Sequence, residues 1–279
     1  MDIITNVLIG QLLYQMGCSV WNAFIDVALS FLLKTPQEIN PTLWNVMINN
    51  VYGVFLAVGV SLVTAFFFMG LYRDVSDFRQ ITNMESLTFI LFRLAICQAC
   101  VVGLLPFITG MFTAGRAFSQ LVIEQLGFSP GSGYGHLDPV STFLANGQEL
   151  LTAGLLMGII FFLTALICGA TICLSVFKRL FDLLYAIPTG GLAVSTVAGG
   201  GGISHTAVCW VKEFMAVLLE ATFIVLALGI GVPFMNVELF AGSGATSSLL
   251  SVIEPAFKMI LLTGAVKGSS HAFRKYLGL

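Results

Sequence analysis

Charge is what this sequence has least of. Of 279 residues, 9% are Asp, Glu, Lys or Arg and 57% are hydrophobic, where a soluble domain carries roughly 25% charged residues to keep its surface wet. With a mean hydropathy of +0.97, a water-soluble fold is excluded and the chain is that of a polytopic integral membrane protein. At about 20 apolar residues per crossing, its length holds about five or six spans and leaves little for a soluble domain. Cations are not in excess either. The formal net charge is -2, so direct binding of nucleic acid through many phosphate contacts has no electrostatic support.

Catalytic and metal-binding signatures are missing as well. The sequence has no Walker-type P-loop, no H-E-x-x-H, no G-x-S-x-G and no His clustered with acidic ligands. His136, His205 and His271 lie in separate regions. The six cysteines fall inside apolar runs, where a thiol behaves as a small buried hydrophobe. Cys97-Gln98-Ala99-Cys100 matches C-x-x-C but lacks a second pair or a nearby His, which favours ordinary membrane-helix cysteines. Neither enzyme chemistry nor a cofactor or metal is expected. The start, MDIITNVLIGQLLYQ, has no basic n-region or cleavage site, so it is expected to stay in the mature protein.

What is present is a succession of apolar segments with sparse punctuation. Residues 1–34 are expected as an amphipathic N-terminal helix: Gln11, Gln15, Ser19, Asn22, Asp26 and Ser30 recur at steps of three or four and form one polar stripe. Such a helix lies along the interface or spans with its stripe facing a pore. Residues 35–279 form the transmembrane domain. Val46 to Tyr72 is a clean span ending in a charged elbow, and Ser86 to Val122 is expected as one long helix kinked near Pro106. Residues 127–149 and 236–248 are loops without Lys or Arg. Leu150 to Phe177 spans and stops at Lys178-Arg179. Leu183 to Ala198, short and broken by Pro188, Gly190 and Gly191, is expected as a re-entrant or interfacial segment. A tetraglycine at 199–202 precedes a span from His205 to Phe234, and Leu249 to Val266 is the last span before the tail 267–279.

Lys and Arg mark cytoplasmic loops. Arg73, Arg79 and Arg93, then Lys178 and Arg179, then Lys267, Arg274 and Lys275 alternate with the two cation-free loops. That alternation gives five spans with the N-terminus outside and the C-terminus cytoplasmic if the first helix does not cross, and six spans with both ends inside if it does.

An ionisable group within a span is costly and a functional candidate by default. Glu213 and Glu220 share a face of one helix, and Glu254 and Lys258 stand at i and i+4, able to close their own ion pair. A carboxyl such as Glu220 serves equally well as an interhelix hydrogen bond or as part of a polar interior. Gly53-x-x-x-Ala57, Gly110-x-x-x-Ala114 and Gly154-x-x-x-Gly158 permit close helix packing, within or between subunits.

The arrangement resembles a known family, the TrbL-type polytopic membrane subunit of type IV secretion and conjugation machines, equivalent to the sixth VirB protein, and most of all its versions in Gram-positive conjugative elements. The segments that carry the resemblance are TPQEINPTLWNVM, FFFMGLYRDVSDFRQITNMESLTFILFRLAI, VFKRLFDLLYAIPTGGLAVSTVAGG, WVKEFMAVLLEATFIVLAL and GAVKGSSHAFRKYLGL. It covers nearly the whole chain by pattern and order, and none of these segments is a catalytic signature. The resemblance implies a non-enzymatic channel or scaffold subunit in a bacterial plasma membrane. It also implies a homo-oligomer, a pentamer in related systems, beside secretion ATPases and stalk or pilin components, with a five-span core and no transferable site residues. The alternative is a secondary transporter, which Glu220, Glu254 and the broken Pro188 segment suit, although no inverted repeat is visible.

Overall fold

The computed structural model describes residues 2–75, 84–127, 135–137, 154–235, 237, 245–276 and 278. Among the described residues there are helices and turns and no strand, the all-α architecture that the composition predicts. The cation-free loops and the charged elbow at 76–83 fall mostly outside them.

The chain opens with α1 (Asp2–Leu32). The Thr-Pro and Asn-Pro pairs that follow each start a helix. In α2 (Pro36–Ile39) the Glu38 carboxylate accepts the Thr35 N–H at 3.0 Å, and α3 (Pro41–Val46) is capped by Asn40, whose Oδ1 accepts the Leu43 N–H at 2.9 Å. Proline is harmless as a first helical residue because its missing N–H would have no intrahelical acceptor. A π-helical stretch, Met47–Tyr52, joins α3 to α4 (Gly53–Val75).

The long helix expected from Ser86 to Val122 is two helices, α5 (Met84–Val102) and α6 (Leu104–Leu126), bent by 55° at Gly103. The break is at the glycine, not at Pro106. Pro106 is the third residue of α6, where its missing N–H is again one of the unpaired ones.

A larger difference concerns α7 (Gly154–Ser195). The expected stop at Lys178-Arg179 and the separate re-entrant segment Leu183–Ala198 are not seen. One helix of 42 residues runs through both and through Pro188, about 63 Å at 1.5 Å per residue. A mid-helix proline costs about 3 kcal/mol. Here burial of Leu183, Leu184 and Ile187 around it opposes that cost, and the Trp210 indole N–H donates to the Ala186 carbonyl at 3.2 Å. Two 3-10 turns, Thr196–Gly199 and Gly201–Ser204, meet at Gly200, whose φ is +60°, and lead to α8 (His205–Met235) and α9 (Ala245–Tyr276).

Among the described residues, three helical segments, Pro41–Arg73, Leu155–Gly199 and Gly202–Met235, are long and apolar enough to cross a membrane; the bent pair Leu91–Val102 and Leu104–Leu126 makes four if taken as one broken span. Neither α1 nor α9 is counted among them.

The chain divides into two compact units. The first comprises Met1–Leu33, Phe118–Lys178 and Glu220–Phe273. In it α1 is not a detached surface helix. Tyr14, Cys18, Trp21, Ile25, Ala28, Leu29 and Leu32 are buried in a core shared with Phe161, Ala165, Ile172, Ile224 and Met259. Gly10 meets Gly158, Tyr14 stacks on Phe161 with centroids 4.0 Å apart, Phe24 meets Gly169, and Phe31 meets Phe177 at 5.0 Å. Both numbers of each pair increase together, so α1 and the first part of α7 run parallel. In the same unit Gly231 meets Leu262 and Met235 meets Lys258, so α8 and α9 are antiparallel.

The second unit comprises Lys34–Ala117, Arg179–Leu219 and Arg274–Leu279. Its core gathers Trp44, Tyr52, Ile108, Phe112, Leu183, Ile187 and Phe214, with a second cluster of Val63, Phe67, Cys97, Val101 and Ala198. Gly59 faces Gly191 and Gly70 faces Gly199 so closely that a Cβ on either α4 glycine would stand 2.8 Å from a carbonyl oxygen.

Candidate functional site

The polar groups of the first unit fall into two sets. One lies along α1. One apolar face of it is buried, and the stripe stays at the surface or half-buried beside exposed Leu8, Leu12, Met16 and Val27. At the C-terminal half of the stripe, the three consecutive residues 135–137 are tied down. The Trp21 indole N–H donates to the Gly135 carbonyl at 3.1 Å. The Asn22 amide pairs with both backbone groups of Leu137, donating at 3.3 Å and accepting at 2.9 Å. The Asp26 carboxylate meets His136 Nε2 at 2.9 Å. A primary amide can satisfy a peptide donor and acceptor together, so Asn22 acts toward Leu137 as a neighbouring strand would. Gly135 takes φ +81°, a conformation that suits glycine. Ser19 and Ser30 bond back to the carbonyls of Gln15 and Val27 on their own helix at 3.0 and 2.8 Å. Gln15 is exposed and Gln11 half-buried.

The second set lies on α8 and α9. Glu254 and Lys258 close the expected i,i+4 ion pair at 2.5 Å, each side chain 8% exposed. Lys258 also donates to the Met235 carbonyl at 2.8 Å. That carbonyl belongs to the last turn of α8, where acceptors lack intrahelical donors, so a cation from α9 caps the end of α8. The pair therefore stands level with the end of α8 and not with its middle. Glu220 is the mid-helix carboxyl: it is buried and sits fifteen residues from either end of α8. Two residues further along α8, buried Thr222 shares a hydrogen bond of 2.9 Å with buried Ser119 between their hydroxyls.

In the second unit, Glu213 lies on α8 and is half-buried. It pairs with Arg274, which also lies 3.9 Å from Asp182. The sequence offers no local sign of this tie. Arg179, expected at a helix end, instead donates from within α7 to the Val217 and Leu218 carbonyls at 3.1 and 3.3 Å. The Arg93 guanidinium occupies the space that a Cβ on Gly200 would need. The tetraglycine, expected only as a flexible joint, thus supplies a notch for a cation beside the end of α7. At the edge of this unit Glu38 pairs with Arg116. The Thr35 backbone hydrogen bond, aided by Arg116, holds the Glu38 carboxyl below its ordinary 4.5.

Of the small-residue pairs, Gly158 packs within the chain, where an added Cβ would meet the Gly10 carbonyl oxygen at 2.5 Å. Gly154 opens α7. Gly53 and Gly110 have nothing within 4 Å of where a Cβ would be. Among the described residues, no three His, Cys, Asp or Glu side chains converge as a metal site.

No family model, no curated protein and no solved structure matches this chain.

Proposed function

We propose that this protein is a non-enzymatic channel or scaffold subunit of a type IV secretion, or conjugative transfer, machine, acting as a homo-oligomer in a bacterial plasma membrane. The proposal rests on the resemblance of ordered segments over nearly the whole chain. It is supported by how charges within the helices are used. Buried Glu254 and Lys258, and half-buried Glu213, Arg274 and Arg179, are bound to one another or to helix carbonyls, as suits a body built to hold its shape. In this reading five spans carry the chain, with the N-terminus outside and the C-terminus in the cytoplasm. Secretion ATPases, stalk or pilin components and membrane lipid are its partners, and nucleic acid is not bound directly. Deleting the gene should abolish DNA transfer to recipient cells while growth stays normal, and a plasmid copy should restore it. Unchanged transfer frequency refutes the proposal.

One observation favours the alternative of a secondary transporter: the buried Glu220 midway along α8, since intramembrane carboxylates serve transport sites. Glu220→Gln abolishes function in that reading and leaves DNA transfer unchanged in the first.

A further inference from the structure

Within the first unit, α1 and the first part of α7 run parallel, so depth along one helix can be read from the other. Gly10 meets Gly158, Tyr14 meets Phe161, Phe24 meets Gly169 and Phe31 meets Phe177. The apolar run of α7 from Leu155 to Phe177 ends at exposed Lys178 and shows Leu156, Leu163, Ile167 and Leu174 on its surface, 48% to 67% exposed. Such a run belongs in hydrocarbon. Its middle is Leu166. Gln15, one residue past the Tyr14–Phe161 contact, then stands about 6 Å from that level and Asp26, two residues past Phe24–Gly169, about 8 Å, at 1.5 Å per residue. Both depths fall within half of a hydrocarbon core about 30 Å thick.

At that depth stands what lipid does not tolerate. His136 meets Asp26, with side chains 33% and 45% exposed, and the non-helical residues 135–137 lie against Trp21 and Asn22. Irregular backbone at membrane depth occurs only where it is buried in protein or lines a water-filled cavity. Ionisable side chains there face a bundle interior or water.

We propose that the polar edge of α1, formed by Gln15, Asn22 and Asp26 with His136 docked on it, is the wall of a water-filled passage at bilayer depth, closed by neighbouring copies of this chain. The proposal rests on the channel reading above for those copies, and it embeds α1, which the five-span count leaves at the surface. The helices apolar enough to cross do not include α1, as suits a helix with one wet edge. Exposed Met16 and Val27, beside that edge, face lipid. The wall groups are amides, a carboxylate and an imidazole, so they hydrate the passage without the Lys or Arg that grip a polyanion. Polar cargo passes such a wall without being held by it.

The test uses the full chain in unsealed membranes of the producing cells and a charged thiol reagent too polar for hydrocarbon. Labelled sites are located by peptide mass, so the native cysteines stay in place. Gln15→Cys should be modified at least about 60 times faster than Ile167→Cys, the factor that the cost of a charged thiolate at the bilayer centre sets. Both positions are exposed, so neither substitution disturbs the core, and equal labelling after denaturation shows that both thiols are present. Equal, slow labelling means that lipid or another protein covers the edge, and equal, fast labelling means that this depth is not hydrocarbon. Either result overturns the proposal. Labelling is read without DNA transfer, so its failure leaves the deletion test of the channel reading standing.

Discussion

Replacing Lys258 by Ala isolates the role of the buried charges, because it leaves Glu254 in place without its cation. The gross attraction of two such charges at 2.5 Å is about 7 kcal/mol at an effective dielectric near 20. Desolvating each ion costs several kcal/mol, so the intact pair contributes little net stability. Removing one member is different. The carboxylate of Glu254, in a side chain only 8% exposed, then loses the Lys258 ammonium, and the Met235 carbonyl loses the donor that caps α8. Breaking a buried pair in this way costs about 3–5 kcal/mol. At roughly 2–4 °C per kcal/mol, the thermal midpoint in detergent should fall by about 6–20 °C, measured by loss of the monodisperse size-exclusion peak after heating. The double change Glu254→Leu with Lys258→Met removes both charges and keeps the volume, and it should recover most of that fall. An unchanged midpoint in Lys258→Ala, or a double variant as unstable as the single one, would falsify the assignment of Lys258 as both ion-pair partner and helix cap.

Three further outcomes follow from particular contacts. Gly158→Ala should destabilise by about 1–3 kcal/mol because the new methyl meets the Gly10 backbone, which cannot turn aside. Gly110→Ala, into open space, should be neutral or stabilising by up to about 1 kcal/mol; equal heat stability of the two variants contradicts the α1–α7 packing. Gly200→Ala should destabilise by about 1–2 kcal/mol from its positive φ, and by more through the displaced Arg93; Arg93→Ala in the same chain should relieve the second part, as a double-mutant comparison of midpoints shows. Glu38 contributes stability that is present above its ordinary pKa of 4.5 and lost as pH falls through the lowered folded value. The wild type should therefore lose stability more steeply than Glu38→Gln below about pH 4.5, and parallel pH profiles of the two midpoints tell against the capping contact.

The helices were legible in the sequence wherever apolar runs were long, and so was one local feature, the Glu254–Lys258 spacing, which depends on positions one turn apart. What could not be read depends on distant residues. Arg179 has the pattern of a span end, yet its side chain finds the α8 carbonyls and α7 continues past it. Pro188 marks a break in isolation, and burial of the helix around it keeps it helical. The Glu213–Arg274 tie spans 61 residues of sequence. The closest backbone approaches are at Gly59, Gly70 and Gly158, and of these Gly158 alone sat in a recognised small-residue spacing.

The parallel pairing of α1 with α7 bears on how the protein is made. Phe24 meets Gly169, and the buried face of α1 depends on α7 for much of its cover. A ribosome adding 5–20 residues per second takes roughly 7–30 s to make the intervening stretch. For that time α1 has emerged with Trp21, Ile25 and Leu29 not yet enclosed by their final neighbours. The first helix is therefore a waiting element during biogenesis, held by lipid or by the insertion machinery until a helix synthesised much later arrives beside it. Mutations on its buried face should be felt first as poor yield in the membrane, before any loss of function in the molecules that assemble.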